Sequence, residues 1–347
     1  MSTIATRVRR AAVSALALVA SATLLAGCAS NIANDGSGLS SAYNPEPLAE
    51  KTVVKVAMSA KLELHSIPLL AKELGEFEKE NLDVQIEVMP ATDSLPALAG
   101  GTLDVVAGGY TVGVVNAIAS GAEILDVYPG PSQADADGLW VHTDLADKGA
   151  AALKGKKIAT SQGPGVVGII PIENYLATAG LTLDDVTMET IPLADLPAAL
   201  ESGAVDAAWL SSPANLPFAQ SGTAKKVVGL EDDQIVTAVF FGPNLHTTNP
   251  EVGQAFVRAL RRTELTYLQG DYKADATVSA ALAKALDLTV DELKVTESLT
   301  FGHKLVPDFY TQAQEAWIKI GGIVSFDKPL DPSSYLDSSF MDRIVTP

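Results

Sequence analysis

The stretch "LPALAGGTLDVVAGG" at residues 95–109 is echoed by "LPAALESGAVDAAWL" at residues 196–210. Each runs a short apolar helix pattern into Gly-x-(Leu/Val)-Asp and then into a run of small and apolar residues, which reads as helix end, tight turn and buried strand. Working outward, residues 55–106 superpose without a gap on residues 157–208, a shift of 102, with 14 identities in 52 positions. Composition alone would give roughly three to five. The echo is therefore a duplication, and it concerns the fold. Gly101 and Gly203 suit a left-handed helix C-terminus. Asp93 and Asp195 stand where an N-cap is expected, with Pro96 and Pro197 in the first turn. Asp104 and Asp206 are expected to bind backbone N–H groups at the turn into the strand, and no catalytic role is read into them.

Each half reads as β-α-β-α-β. In the first, "TVVKVAMSA", "LDVQIEVMP" and "TLDVVAGG" are strands, with "IPLLAKELGEFEKEN" and "DSLPALAGG" as helices. In the second, "KKIATSQG", "DVTMETIP" and "AVDAAWL" are strands, with "VVGIIPIENYLATAG" and "DLPAALESG" between them. Alternation of this kind predicts an α/β protein with two mostly parallel sheets, each flanked by helices. Ligands of such sheets bind outside the carboxyl ends of the strands, so short loops from both halves are expected to meet at a cleft.

The chain has 347 residues, 47% of them hydrophobic, and a formal charge of −18. The first 27 residues hold three arginines and no acid, so the remainder carries 21 basic and 42 acidic residues, or −21. That field disfavours nucleic acid and anionic lipid as partners. The N-terminus joins a basic "MSTIATRVRR" to the apolar "AAVSALALVASATLLAG", too short for a comfortable membrane span, and Leu25-Ala26-Gly27-Cys28 follows. This resembles a bacterial lipoprotein signal: residues 1–27 removed, the Cys28 thiol acylated with palmitate-type chains, and residues 28–51 a Ser/Asn/Gly-rich tether. The expected location is the outer, extracytoplasmic face of the cytoplasmic membrane. Cys28 is the only cysteine, which leaves no thiol for disulfides, metal binding or nucleophilic catalysis once it is lipidated.

Taken together, the helix ending Gly75-Glu76-Phe77, the two Leu-x-x-Gly-x-x-Asp turns and Leu153-Lys154-Gly155-Lys156-Lys157 give residues 52–325 a resemblance to one family. These segments look like the solute-binding proteins of ABC importers for aliphatic sulfonates, taurine, nitrate and thiamine-pyrimidine precursors. The resemblance implies a two-lobed periplasmic-binding fold of the second type with the ligand cleft between lobes. Chain crossings are expected near residues 139–143 and 237–242, which makes lobe one residues 52–140 plus 241–347 and lobe two residues 141–240 with the hinge strands. The tail from Ser325 is expected to pack across lobe one. The implied function is capture of a small solute by lobe closure and delivery to a membrane permease, by a monomer without a cofactor.

The candidate ligand-binding residues lie in the strand-end loops. In lobe one they are Ser59, Ala60, Lys61, Gly108, Gly109 and Tyr110; in lobe two they are Gln162, Gly163, Gly165, Val166, Trp209 and Ser211. The neighbouring loops 91–93 and 193–195 belong to the same set. Ser59-Ala60-Lys61 and Ser161 to Gly165 each precede a helix, whose first N–H groups favour an anion or a carbonyl. Tyr110 and Trp209 either line the cleft or pack between lobes, and Lys61 either meets ligand or is solvated at the rim. No arginine falls between residues 11 and 257, which weakens a doubly charged anion and leaves a monoanion, a zwitterion or a heteroaromatic open. The four histidines are scattered, with no metal-ligand spacing, and "GVVGI" is no nucleophile elbow. An enzyme acting on a small heterocycle, or a sensor or adhesin on the same body, are the alternatives.

Overall fold

In a computed structural model of the chain, residues 46–131, 137–231, 234, 237–296, 298–302 and 304–342 are described below. The signal segment, Cys28 and most of the tether lie outside them. Ten strands form two sheets: β1 (Thr52–Met58), β2 (Leu82–Val88), β3 (Val105–Gly109), β4 (Leu125–Pro129) and β10 (Thr237–Phe241) in the first, and β5 (Asp137–His142), β6 (Lys157–Thr160), β7 (Thr187–Thr190), β8 (Ala207–Ser211) and β9 (Ala224–Gly229) in the second.

The strand orders are β2-β1-β3-β10-β4 and β7-β6-β8-β5-β9. In each sheet one strand, β10 or β5, runs antiparallel to both of its neighbours, so the other four are mutually parallel. That odd strand is the one arriving from the other lobe. The duplication extends to register: Val56 pairs with Val105 and Ile158 with Ala207, each 102 residues on.

β5 belongs to the second sheet over its whole length and β10 to the first. The chain is therefore already in the second sheet at Asp137 and in the first at Thr237, whereas the crossings were expected within 139–143 and 237–242. Residues 137–140 pass to lobe two and 237–240 to lobe one. The physical reason is that each crossing strand is inserted between two others and covered on both faces, so its five buried residues form a core strand and not a hinge.

Each sheet is also covered by helices on both faces. One face of the first sheet packs Val54, Val56 and Phe241 against the helices Ser66–Glu73, Pro250–Tyr267 and Ala276–Ala285. Its other face packs Ala57, Val106 and Phe240 against Val112–Ala119 and Pro307–Ile320. The C-terminal tail lies along this lobe, with Tyr335 O accepting from Asp126 N at 2.7 Å and the Phe340 ring edge-on to Phe241.

The duplicated turns are built alike. Asp104 Oδ2 accepts from Lys55 N at 2.8 Å, and Asp206 Oδ2 accepts from Lys157 N at 2.9 Å. Gly101 and Gly203 adopt φ of 72° and 73°, a left-handed conformation that costs other L-residues about 1–2 kcal/mol. The helix starts depart from expectation. Ala91–Ala99 opens after Pro90, so Pro96 falls inside it, whereas Pro197 does sit in the first turn of Leu196–Glu201. Neither Asp93 nor Asp195 caps its helix through a side-chain hydrogen bond, because Pro90 and Pro192 already turn the chain and their carbonyls accept the first N–H groups.

Candidate functional site

A cavity of about 1340 Å³ lies between the two lobes. Its walls come from matching positions of the duplicated halves. Ser59 faces Ser161 across the shift, Val88 corresponds to Thr190, and Pro90 corresponds to Pro192, all six lining the cavity. The loops after β1 and β6 and those after β2 and β7 thus supply two related sides. The loop after β8 contributes a third, from Pro213 to Gln220, and Asp287, Leu288 and Glu292 complete the rim.

Of the twelve residues singled out from sequence, Ser59, Ala60, Lys61 and Gln162 line this space. Lys61 is only partly free to meet a solute, because its Nζ lies 2.8 Å from Asp287 Oδ2. The remaining eight serve the fold around the cavity. Gly108 and Gly109 are the last residues of β3 and pair with Ala238 and Thr237 of β10. Tyr110 is 1% exposed, with its ring edge-on to Tyr310 at 4.6 Å and its hydroxyl 2.9 Å from that of Tyr335. It is a packing residue because helix Pro307–Ile320 and the C-terminal tail close over it.

Trp209 is 8% exposed in the lobe-two core, where a Cβ at Gly168 would meet its ring at 2.7 Å. Ser211 donates to Asp137 Oδ1 at 2.7 Å, and the Trp209 indole also hydrogen-bonds that carboxylate. Burial pushes the Asp137 carboxyl up to about 6, against these hydrogen bonds, which favour the charged form. Both candidate side chains are thereby committed to the first residue of the crossing strand.

Gly165 and Val166 form the contact between lobes at one side of the cavity, whereas Gly163 turns the chain beside Thr160 and Thr190 of its own lobe. Thr111 and Val166 make an antiparallel bridge across the lobes, and a Cβ at Gly165 would stand 3.3 Å from that of Val112. At the other side Glu63 is fully buried. Its carboxylate meets Lys273 Nζ at 2.7 Å and the Tyr272 hydroxyl at 2.8 Å, and accepts from Ser212 Oγ of lobe two at 3.2 Å. The candidate loop read from sequence ran from Ser59 to Glu63, but it could not give Glu63 its partners, which lie 149 and more residues away. Loops 91–93 and 193–195 supply Ala91, Thr92, Leu193 and Ala194 to the lining as expected, while the walls from Leu95, Pro213, Leu216 and Leu288 were passed over, since a proline or leucine carries no chemical motif.

The arginines nearest in sequence are engaged elsewhere. Arg258 Nε donates to Glu80 Oε2 at 2.9 Å, and Arg262 binds Glu76 and Glu80 at 2.5 and 2.7 Å, pinning helix Pro250–Tyr267 to the first lobe. Burial opposes the charge of Glu76, yet hydrogen bonds from Arg262, Lys79 and Tyr267 hold its carboxyl below the ordinary value. Among the described residues no group of three His, Cys, Asp or Glu side chains is placed to hold a metal ion. None of their helices is long and apolar enough to cross a membrane.

Comparison with known proteins places this arrangement. The alkanesulfonate-binding protein SsuA from Xanthomonas axonopodis pv. citri, bound to MOPS, superposes with a TM-score of 0.68 at 20% identity, over 84% of this chain and all of that one. The periplasmic nitrate-binding protein NrtA from Synechocystis PCC 6803 superposes with a TM-score of 0.65 at 13% identity, over 85% and 88% of the two chains. The desulfurization enzyme DSZB shares the architecture as well, with a TM-score of 0.58 at 14% identity over 84% and 98%. Identities this low establish the two-lobed fold alone. No curated protein sequence matches the chain. The profile described as NMT1/THI5 like matches residues 64–268, more than half of the chain, and the protein belongs to the NMT1/THI5-like family.

Proposed function

We propose that this chain is the extracytoplasmic solute-binding component of an ABC importer, which captures a small solute between its lobes and presents the closed form to a permease. The observation that carries this reading is the interlobe cavity, walled by matched loops of the two duplicated halves. A solute touching both walls stabilises the closed arrangement by its differential affinity for it, and that preference supplies the free energy of closure. The buried Glu63–Ser212 hydrogen bond and the Thr111–Val166 bridge are contacts between lobes that closure would make and opening would break. The structural relatives named for binding alkanesulfonate and nitrate support the same reading. No covalent step is needed, so solute recovered after binding is expected unchanged; a converted product would favour the enzymatic role that DSZB represents.

In this reading Cys28 is acylated after removal of residues 1–27 and tethers the body outside the cytoplasmic membrane. A Cys28→Ala variant is expected in the soluble fraction, whereas retention in membranes without a lipid adduct would overturn the anchor. The binding role is tested by small-angle scattering and thermal melting with a solute panel: a bound solute reduces the radius of gyration and raises the midpoint. A panel that changes neither overturns it.

A further inference from the structure

We infer that the solute is uncharged, with an aliphatic body and hydroxyl- or carbonyl-type polar groups, and is not a sulfonate or nitrate-like anion. This rests on the reading of the interlobe cavity as a solute site. The first argument is charge. Among the described residues Lys61 is the one cation lining the cavity, and Asp287 already neutralises it at 2.8 Å. Glu292, on the same rim, spends its carboxylate on the Thr289 N–H and hydroxyl, both at 2.7 Å. With the Lys61–Asp287 pair neutral and Glu292 turned to its own helix start, the lining offers an anion no unpaired positive charge. Arg258 and Arg262, whose guanidiniums could offer an anion a bidentate fork, are locked to Glu76 and Glu80, and Arg261 is paired with Glu264.

The starts of Val112–Ala119 and Leu216–Ser221 also reach the lining and hold no acid in the first turn; the second argument concerns the two duplicated starts, at Ala91 and at Leu193. Each carries its own carboxylate in the first turn, Asp93 and Asp195, which offsets the positive end of the backbone dipoles. The duplication preserves that acid in both halves. The chain as a whole carries −18, a field that further opposes an anionic solute.

The third argument is the character and size of the walls. Leu62, Val88, Leu95, Leu193, Leu216 and Leu288 come from both lobes, and the described residues of the lining include no aromatic ring on which a heterocycle would stack. Among the described residues, the side chains of Ser59, Ser161, Gln162, Thr190 and Gln220 make no hydrogen bond within the chain, which leaves neutral donors and acceptors facing a solute. A volume of about 1340 Å³ exceeds the roughly 300–1,000 Å³ typical of small-molecule pockets and would leave an inorganic anion surrounded by water.

The test is calorimetric titration of the protein with a matched series: butane-, hexane- and octane-1,2-diol, octanesulfonate and octylammonium. The diols are expected to bind with affinity rising about threefold to fourfold per methylene, and octanediol at least tenfold more tightly than either ion. Octanesulfonate binding as tightly as octanediol, or more so, overturns the neutral-solute inference while leaving solute capture standing. Failure of every compound to bind overturns both. The site itself is checked with Ala194→Trp, at an exposed cavity-lining position. A tenfold or greater loss of octanediol affinity is expected, and unchanged affinity would place binding elsewhere and overturn the assignment.

Discussion

The two lobes use the same loop after their first strand in opposite ways. In lobe one that loop buries Glu63 against Lys273 and Tyr272 and reaches Ser212 across the cleft. In lobe two the position 102 residues later is Gly165, which approaches Val112 so closely that a Cβ would stand 3.3 Å from Val112 Cβ. One side of the interface is thus a desolvated polar anchor and the other a close backbone approach. The lesson is that the duplication preserved the parts that build a strand-turn-helix unit, while the parts that meet the opposite lobe diverged. Identity across the shift marks scaffold, as at Asp104 and Asp206; difference across it marks the interface and the cavity.

Matched substitutions test this contrast. The largest effect is expected at the polar anchor: Glu63→Ala removes the carboxylate facing the buried Lys273 ammonium and should cost about 3–5 kcal/mol in chemical denaturation. Gly165→Ala, its counterpart, should cost about 1–3 kcal/mol by overpacking. Equal losses would remove the distinction between the two sides. Next come the turn acids, where Asp104→Ala and Asp206→Ala should each cost about 1.5–3 kcal/mol. Asp104 should be the more sensitive, because Asn244 Nδ2 also donates to it at 2.8 Å, whereas the second partner of Asp206 is the exposed Lys156. A larger loss at Asp206 would contradict that ordering.

The duplicated glycines follow. Gly101→Ala and Gly203→Ala both force an L side chain to positive φ, at about 1–2 kcal/mol each. Only Gly101 has a neighbour in the way, Asn244 Oδ1 at 3.1 Å from the added Cβ. The difference between the two melting points therefore isolates that one contact, and identical values would show that Asn244 yields freely.

A separate pair of effects is read as slopes against pH. Asp126 of β4 accepts from the Tyr310 hydroxyl at 2.7 Å, and burial pushes its carboxyl from 3.8 up to about 8, while Asp137 of β5 is pushed up to about 6. Between those limits the native state keeps a proton that the unfolded chain has lost. Their contribution is therefore fully present below about pH 4 and falls as pH rises, to about 8 for Asp126 and to about 6 for Asp137. Asp126→Asn should flatten the melting-point profile across the wider window and Asp137→Asn only across its acid end. Profiles parallel to the unsubstituted protein would show that neither carboxyl is protonated in the fold.

Much of the architecture was legible because local rules repeat along the chain. The 102-residue shift, the Gly-x-x-Asp turns and the alternation of strand and helix each depend on neighbours a few residues apart, and they located two parallel cores. The crossings were displaced by several residues because β5 and β10, buried on both faces, look like any other core strand. Four of the twelve candidate residues reached the cavity, all in the loops after β1 and β6, where the strand-end rule places them unaided. Tyr110 and Trp209 missed it because size and position say where a large aromatic begins and not which helix covers it. Tyr110 is covered by side chains 200 and more residues later, Tyr310 and Tyr335 among them.

The sequence by itself determined the duplication, the α/β class, the turns that carry it and the family to which the chain belongs, since short-range spacing and residue type suffice for all of these. Only the tertiary structure decided which loop residues face the cavity, that Lys61 is neutralised by Asp287, that Arg258 and Arg262 are spent on Glu76 and Glu80, and that Glu63 ties one lobe to the other. Each of these pairs groups far apart along the chain. Their partners are chosen by packing and by the cost of burying an unpaired charge, and a linear pattern does not contain that choice.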